Sequence, residues 1–290
     1  MNVHFREVPY KAGGVSHQKG TARPYVIIPI EVHWSRRTRS NGFCRATWLR
    51  LLQRVERDPF CFVVIVGDLI DADRPTTRER RLLMGLGRPE VLEEDDMNHM
   101  DELDRHLIPD LQRIKDKIIG AVDGDHFRIY ANGKTSTQYI MEKLGIPKAY
   151  LGERMGWVRL LFKRHQNTLA FDIFVRHGKG SATTFGTDVN ALVKQSVGFD
   201  AQLYVGGHTH RQWFVKVPYI YCGKYDIKQR FVGYARAGSL LRGFLYGEST
   251  YAESAEYNPL SIGWPEIYLY ISGGHNANRN LEVRDMKGLT

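Results

Sequence analysis

Phe60-Cys61-Phe62-Val63-Val64-Ile65-Val66-Gly67-Asp68-Leu69-Ile70-Asp71 is the stretch on which the fold turns. Its opening apolar run, 60–66, is far shorter than the roughly 20 residues a bilayer crossing needs, and its β-branched character fits a buried strand. Gly67 ends the run abruptly, so the strand delivers Asp68 at its tip. Upstream, the run 25–30 has the same character and ends in Glu31-Val32-His33. Between the two runs Trp48, Leu51, Leu52 and Val55 recur at helical spacing, which predicts a helix over 43–57 and hence a β-α-β unit.

The same reading extends along the chain. Met100, Leu103, Leu107, Leu111, Ile114 and Ile118 predict a helix that Pro109 breaks or restarts. A strand over 118–122 reaches Asp123, and a helix over 135–144 is closed by Gly145 and Pro147. A hairpin joins 157–162 to 168–175, a helix spans 188–197 after a Gly/Ser/Thr-rich loop, and a strand covers 201–205. Residues 1–23 are polar and without period, a lead-in arm or irregular strand. The remainder is turn-rich and aromatic, with strand pieces at 213–217, 231–235 and 266–271. Strands alternate with helices in the first half and dominate the second, which predicts an α/β (α+β) fold of two packed mixed sheets flanked by helices. The expectation is a single domain over 1–290, with a core at about 25–215 and a β-rich part at 216–290.

With 42% hydrophobic and 25% charged residues, the 290-residue chain has the composition of an ordinary globular protein, not of a disordered or fibrous one. The N-terminus lacks the apolar core of a signal peptide. The three cysteines, Cys44, Cys61 and Cys222, are widely separated and form no C-x-x-C pair, so neither a disulfide framework nor a thiolate zinc site is indicated. A cytoplasmic location is expected, with no membrane partner. The formal net charge of +9 favours an anionic partner.

The chemistry lies where the apolar runs stop. Glu31 and His33, Asp68 and Asp71, Asp125 and His126, His177, and His208 and His210 each follow a predicted strand. Imidazoles and carboxylates gathered at strand ends need partners, and a divalent metal supplies one. Mixed His/carboxylate donors suit manganese, zinc or iron, and this many candidates exceed the needs of one ion. Paired metals about 3.5–4 Å apart recur in phosphate-ester hydrolases.

Gly67-Asp68-Leu69-Ile70-Asp71, Gly124-Asp125-His126, the isolated His177 and Gly207-His208-Thr209-His210 resemble, in order, the motif series of calcineurin-like metallophosphoesterases. The resemblance implies a four-layer sandwich and two divalent metal ions, Mn2+ foremost with Zn2+ or Fe as alternatives. It implies that Asp68 bridges both ions, that His33 and His210 ligate the first, with Glu31 at the first motif position, and that Asp125, His177 and His208 ligate the second. His126 matches the histidine that contacts the phosphate and assists the leaving group. The activity implied is hydrolysis of phosphate mono- or diesters by a bridging hydroxide. The stretches 177–180 and 187–190 resemble the versions carried by phages and prophages.

The sequence departs from the family pattern at Glu31, where Asp is usual, at Asp125, where Asn is usual, and at Phe127, where an acidic residue often orients the preceding histidine. These departures motivate a second reading, a catalytically weakened metal-binding module that docks nucleic acid. A nuclease is a third, since polyanions follow basic surfaces. Arg36, Arg37 and Arg74 are candidate phosphate-binding residues, within a wider set of motif-adjacent arginines that includes Arg39, Arg78, Arg128 and Arg211; Arg176, next to His177 on a strand, points to the opposite face and reads as structural. Trp34 either stacks on a base or covers the site. His4, His17, His99, His106, His165 and His275 belong to no motif and read as solvated surface.

Overall fold

The computed structural model describes residues 2–9, 24–35, 42–71, 89–164, 167–180, 182, 184–222, 225–245, 247, 259, 262–271 and 279–288. In chain order come β1 (Val3–Pro9), β2 (Tyr25–Glu31), α1 (Arg45–Arg57) and β3 (Cys61–Ile65), then α2 (Pro89–Glu102), a π-helical turn (Leu103–Leu107), α3 (Ile108–Gln112) and β4 (Ile118–Val122). They are followed by α4 (Ser136–Lys143), β5 (Tyr150–Gly152), β6 (Met155–Arg164), β7 (Asn167–Arg176), α5 (Phe185–Ser196) and β8 (Leu203–Gly206). The chain closes with β9 (Trp213–Cys222), β10 (Ile227–Arg236), β11 (Gly238–Ser239), β12 (Gly263–Ile271) and β13 (Arg279–Gly288).

The strands form two sheets. One runs β13-β12-β2-β3-β4-β5 with β11 beside β2, and the other runs β1-β6-β7-β8-β10-β9. Because side chains alternate across a strand, β2 serves two cores at once. Tyr25 and Ile27 join Phe62, Val64, Val158, Phe171 and Val205 between the sheets. Val26, Ile28 and Ile30 face the other way and pack with Trp48, Leu51, Leu52 and Val55 of α1 and with Leu103, Leu107 and Leu111. On the far side of the second sheet, Leu192 of α5 packs with Phe174, Tyr204 and Trp213. Helices, sheet, sheet and helix thus make four layers, as the alternation of elements predicts.

The predicted interruption at Pro109 takes a specific form. The helix winds into a π-helical turn at 103–107, and Pro109 sits in the first turn of α3, which restarts there. Of the two readings of residues 1–23, the strand is the one observed within the described residues: β1 pairs in parallel with β6 from Val3↔Trp157 onward. It lies at the sheet edge with Val3 and Phe5 exposed, which explains why its sequence carries no clean burial period. Trp34 is buried in the helix-side core and bridged to Ile70, so it serves packing rather than stacking. His99, expected on the surface, is half-buried and bonded through Nδ1 to the Tyr130 hydroxyl at 2.8 Å.

Candidate metal centre

Five loops converge at the C-terminal ends of β2, β3, β4, β7 and β8. Within each sheet these strands run parallel to their sequential neighbours in the set, so their ends open on the same side, the usual place for a site in such folds. The loops are laced by main-chain bonds: His33 N donates to Asp68 O at 2.7 Å, Asp68 N to Asp123 O at 2.9 Å and Gly207 N to His177 O at 2.8 Å. The lacing holds an unfavourable backbone. Among the described residues, the non-glycine positions in the left-handed region are His33 (φ 50°), Asp68 (44°), His208 (75°) and His210 (55°). Each such conformation costs on the order of 1–3 kcal/mol and persists where the surroundings over-determine it.

The donors fall into overlapping clusters, each with ligand atoms within 4.8 Å of one another: Glu31/His33/His210, Asp125/His177/His208, Glu31/Asp68/His177 and His33/Asp71/His126. In the first, the Nε2 atoms of His33 and His210 stand 2.9 Å apart. In the second, Asp125 Oδ2 lies 2.9 Å from His208 Nδ1 and 3.1 Å from His177 Nε2. Asp68 Oδ2 reaches toward both, 3.7 Å from His33 Nε2 and 3.3 Å from His177 Nε2. Its Oδ1 accepts from the backbone N–H groups of Asp125 and His126 at 2.6 and 2.8 Å, which fixes the carboxylate between the two groups of imidazoles.

Motif glycines make this packing possible. A Cβ on Gly124 would stand 2.3 Å from Asp68 Oδ1, and one on Gly207 would stand 2.3 Å from Glu31 Oε1. The completely buried Glu31 uses its length: Oε1 accepts from His208 N at 2.5 Å and lies 3.0 Å from His177 Nδ1, while Oε2 has no hydrogen-bond partner and lies 3.9 Å from His210 Nε2.

These residues fit divalent cations. His177 Nδ1 lies 3.1 Å from the Val66 carbonyl, so it carries the ring's N–H and leaves the Nε2 lone pair facing the oxygens of Asp68 and Asp125. A lone pair opposed to two carboxylates is repulsive unless a cation lies between them. Without a metal that cation is a proton: burial opposes charge on His177, yet its bonds to Asp125 and Glu31 outweigh burial and raise its pKa to about 10. Burial lowers the pKa of His33 well below the usual imidazole value and lowers that of His210 as well, so both are neutral, the form in which imidazole binds metal. The unpartnered Oε2 of Glu31 is a further donor atom without a proton to accept.

His126 is held by a carboxylate from another loop. The next residue is Phe127, which is buried, and the orienting carboxylate comes instead from Asp71 on the β3 loop, with Oδ1 2.8 Å from His126 Nδ1. That bond raises the pKa of His126 and leaves Nε2 as the atom able to meet a ligand. Among the arginines, Arg128 is buried against Asp95 and Asp96, and Arg176 donates to the carbonyl of Gln195, so both are structural and not part of a phosphate rim. Arg36, Arg37 and Arg74, with Arg39 and Arg78, lie outside the described residues. The structure adds Arg154, whose Nη1 is 2.6 Å from Asp125 Oδ1. It belongs to no motif and is 29 positions from its partner, so no local signal marks it.

No family model matches the chain, and no curated protein matches it. Among solved structures, it is similar to wild-type Vps29 complexed with Zn+2 from Entamoeba histolytica, at 13% identity over 89% of this chain and 98% of that one, with a TM-score of 0.36. It is similar to a conserved uncharacterized protein, a predicted phosphoesterase, from Streptococcus pneumoniae TIGR4, at 11% identity over 91% of this chain and 100% of that one, with a TM-score of 0.32. It is also similar to GAP50, the anchor in the inner membrane complex of Plasmodium, at 10% identity over 92% of this chain and 86% of that one, with a TM-score of 0.42.

Proposed function

We propose that the chain is a metal-dependent hydrolase of phosphate mono- or diesters with a dinuclear centre. The observation that carries this reading is the place of Asp68, whose Oδ2 lies between a Glu31/His33/His210 group and an Asp125/His177/His208 group. Two donor sets sharing one carboxylate suit two divalent ions, with Mn2+ the first choice for mixed O and N donors and Zn2+ or Fe the alternatives. Bound there, such ions supply an acidified water and draw charge from the phosphoryl oxygens.

The chain's own residues supply the rest. His126, with Nδ1 fixed by Asp71 and its pKa raised by that bond, is suited to give a proton from Nε2 to the departing oxygen. The backbone N–H groups of residues 125 and 126 keep Asp68 from turning. The half-exposed faces of His126, His208 and His210 leave the cluster open to a phosphoester, with the net charge of +9 favouring anions.

Hydrolysis of an aryl phosphomonoester and an aryl phosphodiester with manganese added tests the reading. Turnover on either, reduced at least about 100-fold in Asp68→Asn with loss of bound metal, is the expected result. Near-normal turnover in that variant sinks the two-ion reading, and tight metal binding with no turnover on either ester favours a metal-binding module that docks nucleic acid.

A further inference from the structure

Glu153 and Arg154 join Gly152, the last residue of β5, to β6. The main chain here is stitched to two of the converging loops. Asp123 N donates to Gly152 O at 3.3 Å, Gly124 N to Glu153 O at 3.1 Å and His177 N to Arg154 O at 2.9 Å. Arg154 is therefore fixed at its backbone between the loop that carries Asp125 and the loop that carries His177. Its side chain crosses to Asp125, and the two oxygens of that carboxylate are divided: Oδ1 lies 2.6 Å from Arg154 Nη1, while Oδ2 faces His208 at 2.9 Å and His177 at 3.1 Å.

Two consequences follow from charge and geometry. A carboxylate whose one oxygen is engaged by a guanidinium offers a single oxygen to the cluster, so Asp125 is kept from turning both oxygens inward. The positive guanidinium cancels the charge that Asp125 would otherwise add to a group already containing Asp68 and Glu31. A cation binding beside His177 and His208 then meets a carboxylate already paired with a positive charge, and is held less firmly than three carboxylates alone would hold it.

We propose that Arg154 is a positioning residue for the Asp125/His177/His208 half of the site, restricting Asp125 to one inward oxygen and weakening that half's hold on a divalent cation. This rests on the metal-centre reading above. Arg154 sets how readily that ion exchanges. Both side chains are partly exposed, at 46% and 34%, so solvent screens the effect to a modest size.

The test is titration of the metal-free full chain with Mn2+ alone, followed by calorimetry, for the unsubstituted protein, Arg154→Gln, Arg154→Lys, Asp125→Asn and the Asp125→Asn/Arg154→Gln pair. Arg154→Gln is expected to bind one ion roughly 3- to 10-fold more tightly, a range set by a charge a few ångströms away in a half-solvated site. Arg154→Lys should stay near the unsubstituted value, and the gain should vanish in the Asp125→Asn background, since there is then no anion to neutralise. A structural role alone would loosen binding in every variant. Normal Mn2+ binding with no change in Arg154→Gln, or the same gain with Asn at 125, overturns the inference and leaves the metal centre standing. Loss of inorganic phosphate affinity in Arg154→Gln with Mn2+ affinity unchanged also overturns it, by making Arg154 a phosphate ligand. No Mn2+ binding by the unsubstituted protein overturns the metal centre itself and the inference with it.

Discussion

Asp188 of α5 and Arg236 of β10 form an ion pair with side chains 0% and 1% exposed, directly behind the loop that carries His208 and His210. Arg236 Nε donates to Asp188 Oδ1 at 3.0 Å, and its Nη1 donates to the Gly207 carbonyl at 2.6 Å. Asp188 Oδ2 accepts from Trp213 Nε1 at 2.7 Å and from the Thr209 hydroxyl at 3.1 Å. Charge, main chain and ring are joined into one buried network, so the left-handed turn at His208 and His210 has a rigid support.

Removing one partner leaves an uncompensated buried charge, which costs about 3–5 kcal/mol. Arg236→Met is therefore expected to lower stability by about that amount in chemical unfolding. Asp188→Asn should cost less, because the amide oxygen can still accept, while the double change should fall short of the sum of the two. Equal losses in both single variants and an additive double would mean that the two side chains are not coupled.

His126 and Asp71 should act as one unit. His126→Ala is expected to slow turnover while leaving metal content unchanged, and Asp71→Asn to slow it by about 10- to 100-fold through the loss of orientation. The double variant should then be no slower than His126→Ala alone. Metal analysis of His126→Ala checks the assignment, since loss of an ion there would make His126 a ligand, in line with its closeness to His33 and Asp71.

Glu31 is buried with one oxygen on the backbone of His208 and the other toward His210. Glu31→Gln keeps the shape and removes the charge, so metal titration should show a weakened ion at the His33/His210 half. Glu31→Asp is one methylene shorter and should lose its reach to His208 N. It is expected to be destabilised by about 1–3 kcal/mol through that unpaired buried donor, in addition to any change in metal affinity. Unaltered stoichiometry and affinity in both variants would place Glu31 outside the ligand set.

His99 gives stability a pH dependence away from the site. Burial, with the nearby charge of Arg128, pushes its pKa down to about 4 from 6.5. The unfolded chain takes up this proton first as pH falls, so the contribution is fully present above about pH 6.5 and is lost between 6.5 and 4. The slope is up to about 1.4 kcal/mol per pH unit. Thermal melts of the parent and His99→Gln should diverge across that window and run parallel below it. Parallel curves throughout would show that His99 is equally easy to protonate in both states.

Much of the architecture was legible in the chain because burial repeats locally. The run at 60–66 and the helical spacing of Trp48, Leu51, Leu52 and Val55 report which faces leave water, and the structure buries 61–66 and the four helix residues, with Phe60 partly buried against the core. Strand 118–122 has the bounds its sequence predicts, and the polar residues just past each strand are those that meet in the cluster. Less legible were β13 at the end of its sheet, the two- and three-residue strands β11 and β5, which are too short to alternate, and the helix Pro89–Glu102, whose helical spacing is readable only from Met100 onward.

The sequence by itself determined most of the helices and strands, their order and the candidate donor residues at the strand tips, since each depends on neighbours within one or two turns of chain. Only the tertiary structure decided the pairings: Asp71 rather than residue 127 on His126, Arg154 on Asp125, and Arg236 on Asp188. Such partners lie 29 to 55 positions apart and are set by which strand ends the sheets bring together. Local periodicity records how deeply a residue is buried, but the field it feels comes from whatever distant charge the topology places beside it.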